Sequence, residues 1–396
     1  MSETADVVVI GGGVVGAACA EALSRRVKRV VLLERRGLAS GTSSACQSGV
    51  GHGVFADDYD LRLDRAAIDE FQALAADGLD ADYSRRGALL VCGPDEAATV
   101  REQLPRLRAL GLPVEWLGAE ALRDAEPSLA RDYAGAARLT DMGQVSPMRL
   151  VMELTARASG RGAAIRTDVE VSGIATEQGR VTGVQTSSGT IATGEVVLAA
   201  GVWSRDLART AGLSVPIWPL KGHVLVSEPL PGLLNHYLTE AEYEVAAASF
   251  GKPEMTPSGP KPGWPPRTAA VLQPLPSGQI LIGSSREFAS DREVNRERLA
   301  QIARRAVRMV PVLAERRIIR SYAGLRPWTP DGRPLIGRTR HVRGLTIAAG
   351  HGGEGNSRSL VTGRLVADIV AGATPHFDIA PLSPDRFDLR APAAAA

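Results

Sequence analysis

The chain has 396 residues, 44% of them apolar and 23% charged, which fits a globular protein with room for two domains and excludes a disordered or fibrous chain. With 46 basic and 44 acidic residues the formal net charge is +2, without the basic excess or clustered stripe of a nucleic-acid binder. Cys19, Cys46 and Cys92 lie far apart with no CxxC pair, which argues against a structural zinc site or a disulfide framework and predicts a reducing, cytoplasmic setting.

The first predicted element is a strand over residues 5–10, apolar and β-branched enough to be buried on both faces. It runs directly into glycines, so it is read as a strand and not as a signal peptide; no apolar run reaches the ~20 residues needed to cross a bilayer. Gly11-Gly12-Gly13-Val14-Val15-Gly16 follows, then an alanine-rich helix to about residue 26. Gly11 permits a tight turn, Gly13 lets the backbone approach a pyrophosphate, and Gly16 brings the helix close to the strand. The helix start offers free N–H groups and a positive dipole end to phosphates. A second strand over 29–33 ends in Glu34, at the spacing where a carboxylate meets ribose hydroxyls and repels a 2′-phosphate. Dinucleotide binding follows from this unit, which by itself leaves FAD and NAD open.

After Arg35, the small-residue stretches Ser40-Gly41-Thr42-Ser43-Ser44 and Ser48-Gly49-Val50-Gly51 can run their backbone along an extended cofactor. Residues 195–204 read as a buried strand ending at Ala200-Gly201-Val202-Trp203. Residues 215–227 and a hairpin of 270–275 with 279–284 predict a mostly antiparallel sheet, followed by a helix over 295–309. The arginine-rich 304–320 is read as a solvated helix face. Residues 250–266, dense in Pro and Gly, predict no regular structure: a surface loop, a lid or a docking loop. Near the end, a strand over 345–349 leads into Gly350-His351-Gly352-Gly353-Glu354-Gly355-Asn356 and a helix with Val361, Leu365 and Ile369 on one face.

The segments VVVIGGGVVGAACA, VVLAAGVWS, YAGLRPWTPDGRPLIG and AAGHGGEGNSRSLVTGRLVADIV, in that order from Val7 to Val370, resemble flavoproteins of the D-amino-acid-oxidase type. That group includes glycine oxidase, sarcosine oxidase, D-hydroxyproline dehydrogenase and the flavoprotein subunits of hydrogen cyanide synthase and opine oxidase. The resemblance implies an α/β fold: a discontinuous Rossmann-type FAD-binding domain with an inserted α+β substrate domain on a mostly antiparallel sheet. The expected boundaries are 1–80, 141–214 and 318–390 for the FAD domain, 81–140 and 215–317 for the substrate domain, and a tail at 391–396. It implies FAD contacts by Gly11, Gly13, Val14, Val15, Gly16, Glu34, Arg35, Ser40, Thr42, Ser43, Val169, Ala200, Gly201 and Trp203. In the late turn Gly350, His351, Gly352, Gly353, Gly355 and Asn356 are expected at the flavin ring, where N–H groups stabilise the negative charge of its reduced form.

The resemblance also implies oxidation of the carbon–nitrogen bond of a small amino acid or secondary amine by hydride transfer to flavin. No catalytic base is required, because the cofactor performs the redox step and the protein orients the substrate. Arg326, in Gly324-Leu325-Arg326-Pro327, occupies the place of the arginine that grips the substrate carboxylate, with a structural ion pair as the alternative. Tyr322 adds a hydroxyl or packs as a ring, and Tyr237 and Tyr243 lie where relatives carry a roof tyrosine. His351 and His52 are placed near the ring, each with a structural histidine as the alternative. No cysteine precedes Thr329-Pro330-Asp331, and Cys46 is read as a small buried thiol, so FAD is expected to be non-covalent. No metal is expected.

Gly350-His351-Gly352 stands where an aromatic hydroxylase using NAD(P)H carries a Gly-Asp pair, which counts against that class. The expected acceptor is oxygen or another carrier. The remaining alternatives are a subunit of a heteromeric dehydrogenase or a homo-oligomer, and a flavin-binding interaction protein without turnover.

Overall fold

The computed structural model describes residues 3–249, 253–256 and 259–390. A six-stranded sheet runs in the order Leu335–Arg338, Leu345–Ala349, Val196–Leu198, Val7–Ile10, Val30–Leu33, Ala164–Arg166. All neighbours are parallel except the first pair. Alternate side chains feed two cores. Val8, Ile10, Val31, Leu33, Leu198 and Ile347 meet Ile174, Val184 and Ile191 of a four-stranded sheet on one side. Val7, Val9, Leu32, Val197 and Ala348 meet the helices Val14–Ser24 and Ser359–Val370 on the other. With both faces covered, the strands carry continuous apolar runs, and each buried Val, Leu or Ile contributes roughly 1.5–3 kcal/mol.

Parallel pairing also collects the scattered glycine motifs. The strands Val7–Ile10, Val30–Leu33, Val196–Leu198 and Leu345–Ala349 all end at one edge. Gly11, Glu34, Ala199 and Gly350 therefore begin four loops that share that edge, the place where doubly wound sheets bind ligands.

An eight-stranded sheet stands over this edge, in the order Ile318–Trp328, Trp218–Ser227, Ile280–Phe288, Arg267–Pro274, Tyr237–Glu240, Ala88–Cys92, Gly135–Leu139, Val114–Gly118. Only Tyr237–Glu240 against Ala88–Cys92 is parallel. The helix Arg296–Met309, capped by the Asn295 side chain, buries Ile302, Ala306 and Met309 against its back.

Two expectations need correction. Residues 318–328 were assigned to the cofactor unit, but Ile318–Trp328 pairs along its length with Trp218–Ser227 and belongs to the eight-stranded sheet. Its long antiparallel ladder outweighs its proximity in sequence to the strand Leu335–Arg338. In the Pro/Gly-rich segment, Met255–Thr256 and Gly259–Pro260 form a short antiparallel pair, and Trp264 packs on Phe288 with ring centroids 5.4 Å apart. Tertiary contact supplies the order that composition disfavours there. Residues 250–252, 257–258 and the tail 391–396 lie outside the described residues. The helix Ala241–Ser249, which precedes this segment, has no counterpart in the sequence reading.

Among the described residues, no helix is long and apolar enough to cross a membrane.

Candidate active site

The glycine turn is built as its spacing requires. Gly11 has φ +115°, a left-handed conformation that disfavours any side chain, and a Cβ at Gly16 would overlap the Gly11 carbonyl oxygen. The helix Val14–Ser24 starts from Gly13 with no side-chain cap on that residue and no acidic residue in its first turn. The Val14 N–H donates to Ser43 Oγ at 3.0 Å, so the early serine stretch lies against the helix start. An uncompensated positive helix end is what a pyrophosphate needs. The Glu34 carboxylate accepts from the Gly12 N–H at 2.7 Å and from the Arg36 N–H at 3.0 Å, fixing it beside the turn. These residues fit a dinucleotide.

Around this centre, Arg35 stacks over the Trp203 ring at 4.0 Å, joining the loop after the second strand to the Ala200-Gly201-Val202-Trp203 turn. Thr42 Oγ1 donates to the Leu325 carbonyl at 2.6 Å, tying the serine stretch to the roof. The Val169 N–H donates to the Glu34 carbonyl, and its side chain packs into the core. Ser40 is half-buried, and its carbonyl lies 3.4 Å from Arg292 Nη2.

Between the two sheets lies a cavity of about 340 Å³. Its floor includes Gly13, Val14, Val15, Thr42 and Ser43 from the first unit and His351, Gly352, Gly353, Gly355 and Asn356 from the late turn. Gly11, Gly16 and Gly350 shape the turns behind it. Its roof comes from the eight-stranded sheet and the start of the helix Ala241–Ser249: Tyr237, Thr239, Tyr243, Glu244, Arg286 and Arg326. Gln47, Ser284, Gly222 and Met142 complete the wall.

Arg326 reaches the cavity by an unusual path. It stands opposite Leu220 on the neighbouring strand, and its side chain passes over Gly222, where a Cβ would overlap Nη1. From there Nη1 donates to the Ser285 carbonyl at 2.9 Å and Nη2 to Ser284 Oγ at 2.5 Å, both on the next strand. The guanidinium thus spans three strands. Burial, then the neighbouring charge of Arg286, lowers its pKa to about 10, which leaves it charged at neutral pH. It has no carboxylate partner among the described residues, so the alternative of a structural ion pair has no support here.

His351 is buried, and its Nε2 lies 3.0 Å from Thr362 Oγ1. Burial, then Arg358, holds its pKa down to about 3, so the imidazole is neutral and orients the turn without exchanging protons near pH 7. His52 also lines the cavity, with Nε2 3.4 Å from Asp141 Oδ1, and neither side chain completes a hydrogen bond. Asn356 Nδ2 donates to the Gln47 carbonyl at 3.0 Å and to Cys46 Sγ at 3.3 Å. Burial pushes the Cys46 thiol up to about 11, keeping it a thiol and a poor nucleophile.

Tyr322 does not line the cavity. It shares a strand face with Arg326, but four residues along a strand is ~13 Å, and its hydroxyl points at the Cys46 carbonyl, 3.5 Å away. The phenols of the cavity are Tyr237 and Tyr243. Sequence reasoning passed over Gly222, Glu244, Arg286 and Ser284. The one local signal was the alternation of the strand Ile280–Phe288, which puts Ser284 and Arg286 on one face.

Comparison with known proteins agrees with the fold and its cofactor class. The glycine oxidase of Geobacillus kaustophilus is 32% identical over 397 residues, covering 97% of each chain. The hydrogen cyanide synthase subunit HcnC of Pseudomonas aeruginosa is 29% identical, covering 98% of this chain and 97% of that one. The crystal structure of glycine oxidase from Geobacillus kaustophilus superposes with a TM-score of 0.84 at 29% identity, over 98% of this chain and all of the other. Residues 6–369 match the family model described as FAD dependent oxidoreductase, and the chain belongs to that FAD-dependent family.

Proposed function

We propose that the protein oxidises the carbon–nitrogen bond of a small amino acid or secondary amine, giving an imine that hydrolyses in water. The observation that carries this reading is Arg326, drawn across Gly222 into a cavity floored by the two glycine turns. When bound, FAD supplies the hydride acceptor. The residues of the chain do the rest.

Arg326 offers its remaining N–H groups to a substrate carboxylate, and Ser284 and Ser285 fix the plane of its fork, so the Cα–H is aimed downward at the floor. Tyr237 keeps its proton, because burial raises its pKa, and can donate one hydrogen bond to the same carboxylate. Gly352, whose N–H donates to the Pro327 carbonyl at 2.8 Å, locks the late turn to the strand that carries Arg326. Substrate anchor and cofactor floor are therefore rigidly coupled. No general base is assigned: the amine binds as its neutral form.

In this reading the division into a cofactor unit and a substrate unit follows the two large sheets, FAD is held without a covalent bond, and the enzyme works in the cytoplasm. The acceptor is oxygen or a carrier on a partner protein. Similarity to a hydrogen cyanide synthase subunit favours keeping the partner reading beside the oxidase reading. Anaerobic mixing of the yellow protein with a panel of amino acids and N-methyl amines, followed by air, tests both. Bleaching identifies substrates, and slow recolouring in air with fast recolouring by a dye marks a dehydrogenase. If no amine bleaches the flavin, the reading fails.

A further inference from the structure

We propose that Arg286 is a second anion anchor beside Arg326, so that the substrate carries two carboxylates, one on each side of the reacting amine centre or its side chain. This rests on the reading of Arg326 as a carboxylate anchor and names the substrate class of that same cavity.

The geometry places both cations in one pocket. Ser284 and Arg286 are two residues apart on the strand Ile280–Phe288 and share a face, and Arg326 Nη2 donates to Ser284 Oγ at 2.5 Å. Arg286 lines the cavity as Arg326 does. Arg326 has already spent two donors on Ser284 and Ser285. Arg286 has spent none: among the described residues it donates no hydrogen bond and forms no ion pair, and its guanidinium rests over the Tyr243 ring, 5.3 Å from the centroid.

The acidic groups of the cavity, Glu244 and Glu354, do not neutralise it by contact. Burial works against the charge of Arg286, while Tyr243, Glu244 and Glu354 hold it on from a distance, and the net effect raises its pKa. Burial raises the pKa of Glu244 above the ordinary carboxylate value, the direction that favours the neutral acid. A guanidinium with five unspent donors in a cavity between two sheets is costly to leave unpaired. A substrate with one carboxylate satisfies Arg326 and leaves Arg286 in that state; a second carboxylate removes the cost. Two chemistries supply it, an acidic side chain or a carboxymethyl group on nitrogen.

The test uses the FAD-loaded protein and reads binding through the flavin absorption spectrum, with non-reactive acids as probes: malonate and succinate against acetate and propionate. The dicarboxylates should bind at least about tenfold tighter, the scale of one additional charge-assisted pair. Arg286→Met should erase that ratio, and Arg286→Lys should keep part of it. Equal affinities in the wild type, or a ratio that survives Arg286→Met, overturn the proposal. Arg326→Met separates the two readings. If it weakens both classes of acid while succinate and propionate bind alike in the wild type, only the Arg286 assignment falls; if it weakens neither, both fall. Turnover of iminodiacetate against N-methylglycine, and of aspartate against alanine, then tells which source of the second carboxylate the cavity takes. A preference for the monocarboxylate in both pairs counts against the proposal.

Discussion

The two large sheets meet at one cavity but reach it by opposite construction. The six-stranded sheet is parallel, buried on both faces, and sends its contribution through the loops at one edge. The eight-stranded sheet is mostly antiparallel, and the strands nearest the glycine turns present one face to the cavity, so what it contributes there is side chains on strands. Backbone N–H groups and helix dipoles bind the part of the ligand that never changes, since every dinucleotide has the same phosphates. Side chains on strand faces read the part that differs between enzymes. One region is therefore constrained by its backbone and the other by a few pairs of residues, and the two should respond differently to substitution.

The sharpest test of that contrast is Arg326→Ala. It should lower kcat/KM on an amino-acid substrate by about 3–5 kcal/mol, the scale of breaking a buried charge pair, while FAD stays bound. Equal losses on the amino acid and on its decarboxylated amine would show that Arg326 does not read a carboxylate. On the cofactor side, Gly16→Ala should cost about 1–3 kcal/mol of stability and reduce FAD content, because the added methyl meets the Gly11 carbonyl and not a movable side chain. Thermal unfolding with flavin release as the readout decides it. By contrast, Gly222→Ala should leave FAD content intact and damage turnover, since what it displaces is the guanidinium of Arg326.

Acid stability offers a third comparison. His351 is held at about pH 3 by burial and by Arg358, against 6.5 for an ordinary histidine. The unfolded chain then binds more protons than the folded one between those values, so stability falls as pH drops from 6.5 towards 3. Between pH 7 and pH 5 the contribution is about 2 kcal/mol, and His351→Gln should remove it. An unchanged pH dependence of Tm in that variant would show that the ring is not kept neutral by the fold. The smallest effect expected is that of Glu34→Ala, which removes a charged acceptor at the ribose position and should weaken FAD retention by about 1.5 kcal/mol. Unchanged affinity, measured by titrating the apoprotein with FAD, would take Glu34 away from the ribose.

The sequence was most readable where local chemistry and tertiary role coincide. The run of residues 5–16 states its strand, its turn and its helix start, and the strand Leu345–Ala349 has the bounds its apolar run predicts. The hairpin near residue 277 was also readable, though its strands extend to Arg267–Pro274 and Ile280–Phe288 because neighbouring strands continue the ladder. For Tyr322 the sequence leaves a hydroxyl role and ring packing both open, because proximity to Arg326 in the motif says nothing about the distance along a strand. The helix Ala241–Ser249, with Tyr243 and Glu244, was missed: its periodicity is weak, and what it packs on is remote in sequence. For Arg286 the alternation of its strand gives the face but not what that face meets, and nothing else separates it from the many other arginines.

What the sequence by itself determined is the dinucleotide unit, because a phosphate-binding turn depends on glycines and a helix start that are contiguous in the chain. It also determined that the strands leading into the loops at Gly11 and Gly350 are buried on both faces, since only such burial accommodates their continuous apolar runs. What the tertiary structure alone decided is which side chains face the substrate. Arg326 reaches the cavity only because register places Gly222 beneath it, and it bonds Ser284 and Ser285, and shares the cavity with Arg286, only because a third strand pairs beyond. The fold gathers into one cavity residues that are 40 and 104 positions apart in the chain, as Arg326 is from Arg286 and from Gly222. No local pattern encodes that register, because it is fixed by the summed packing of the whole sheet and not by any one of its strands.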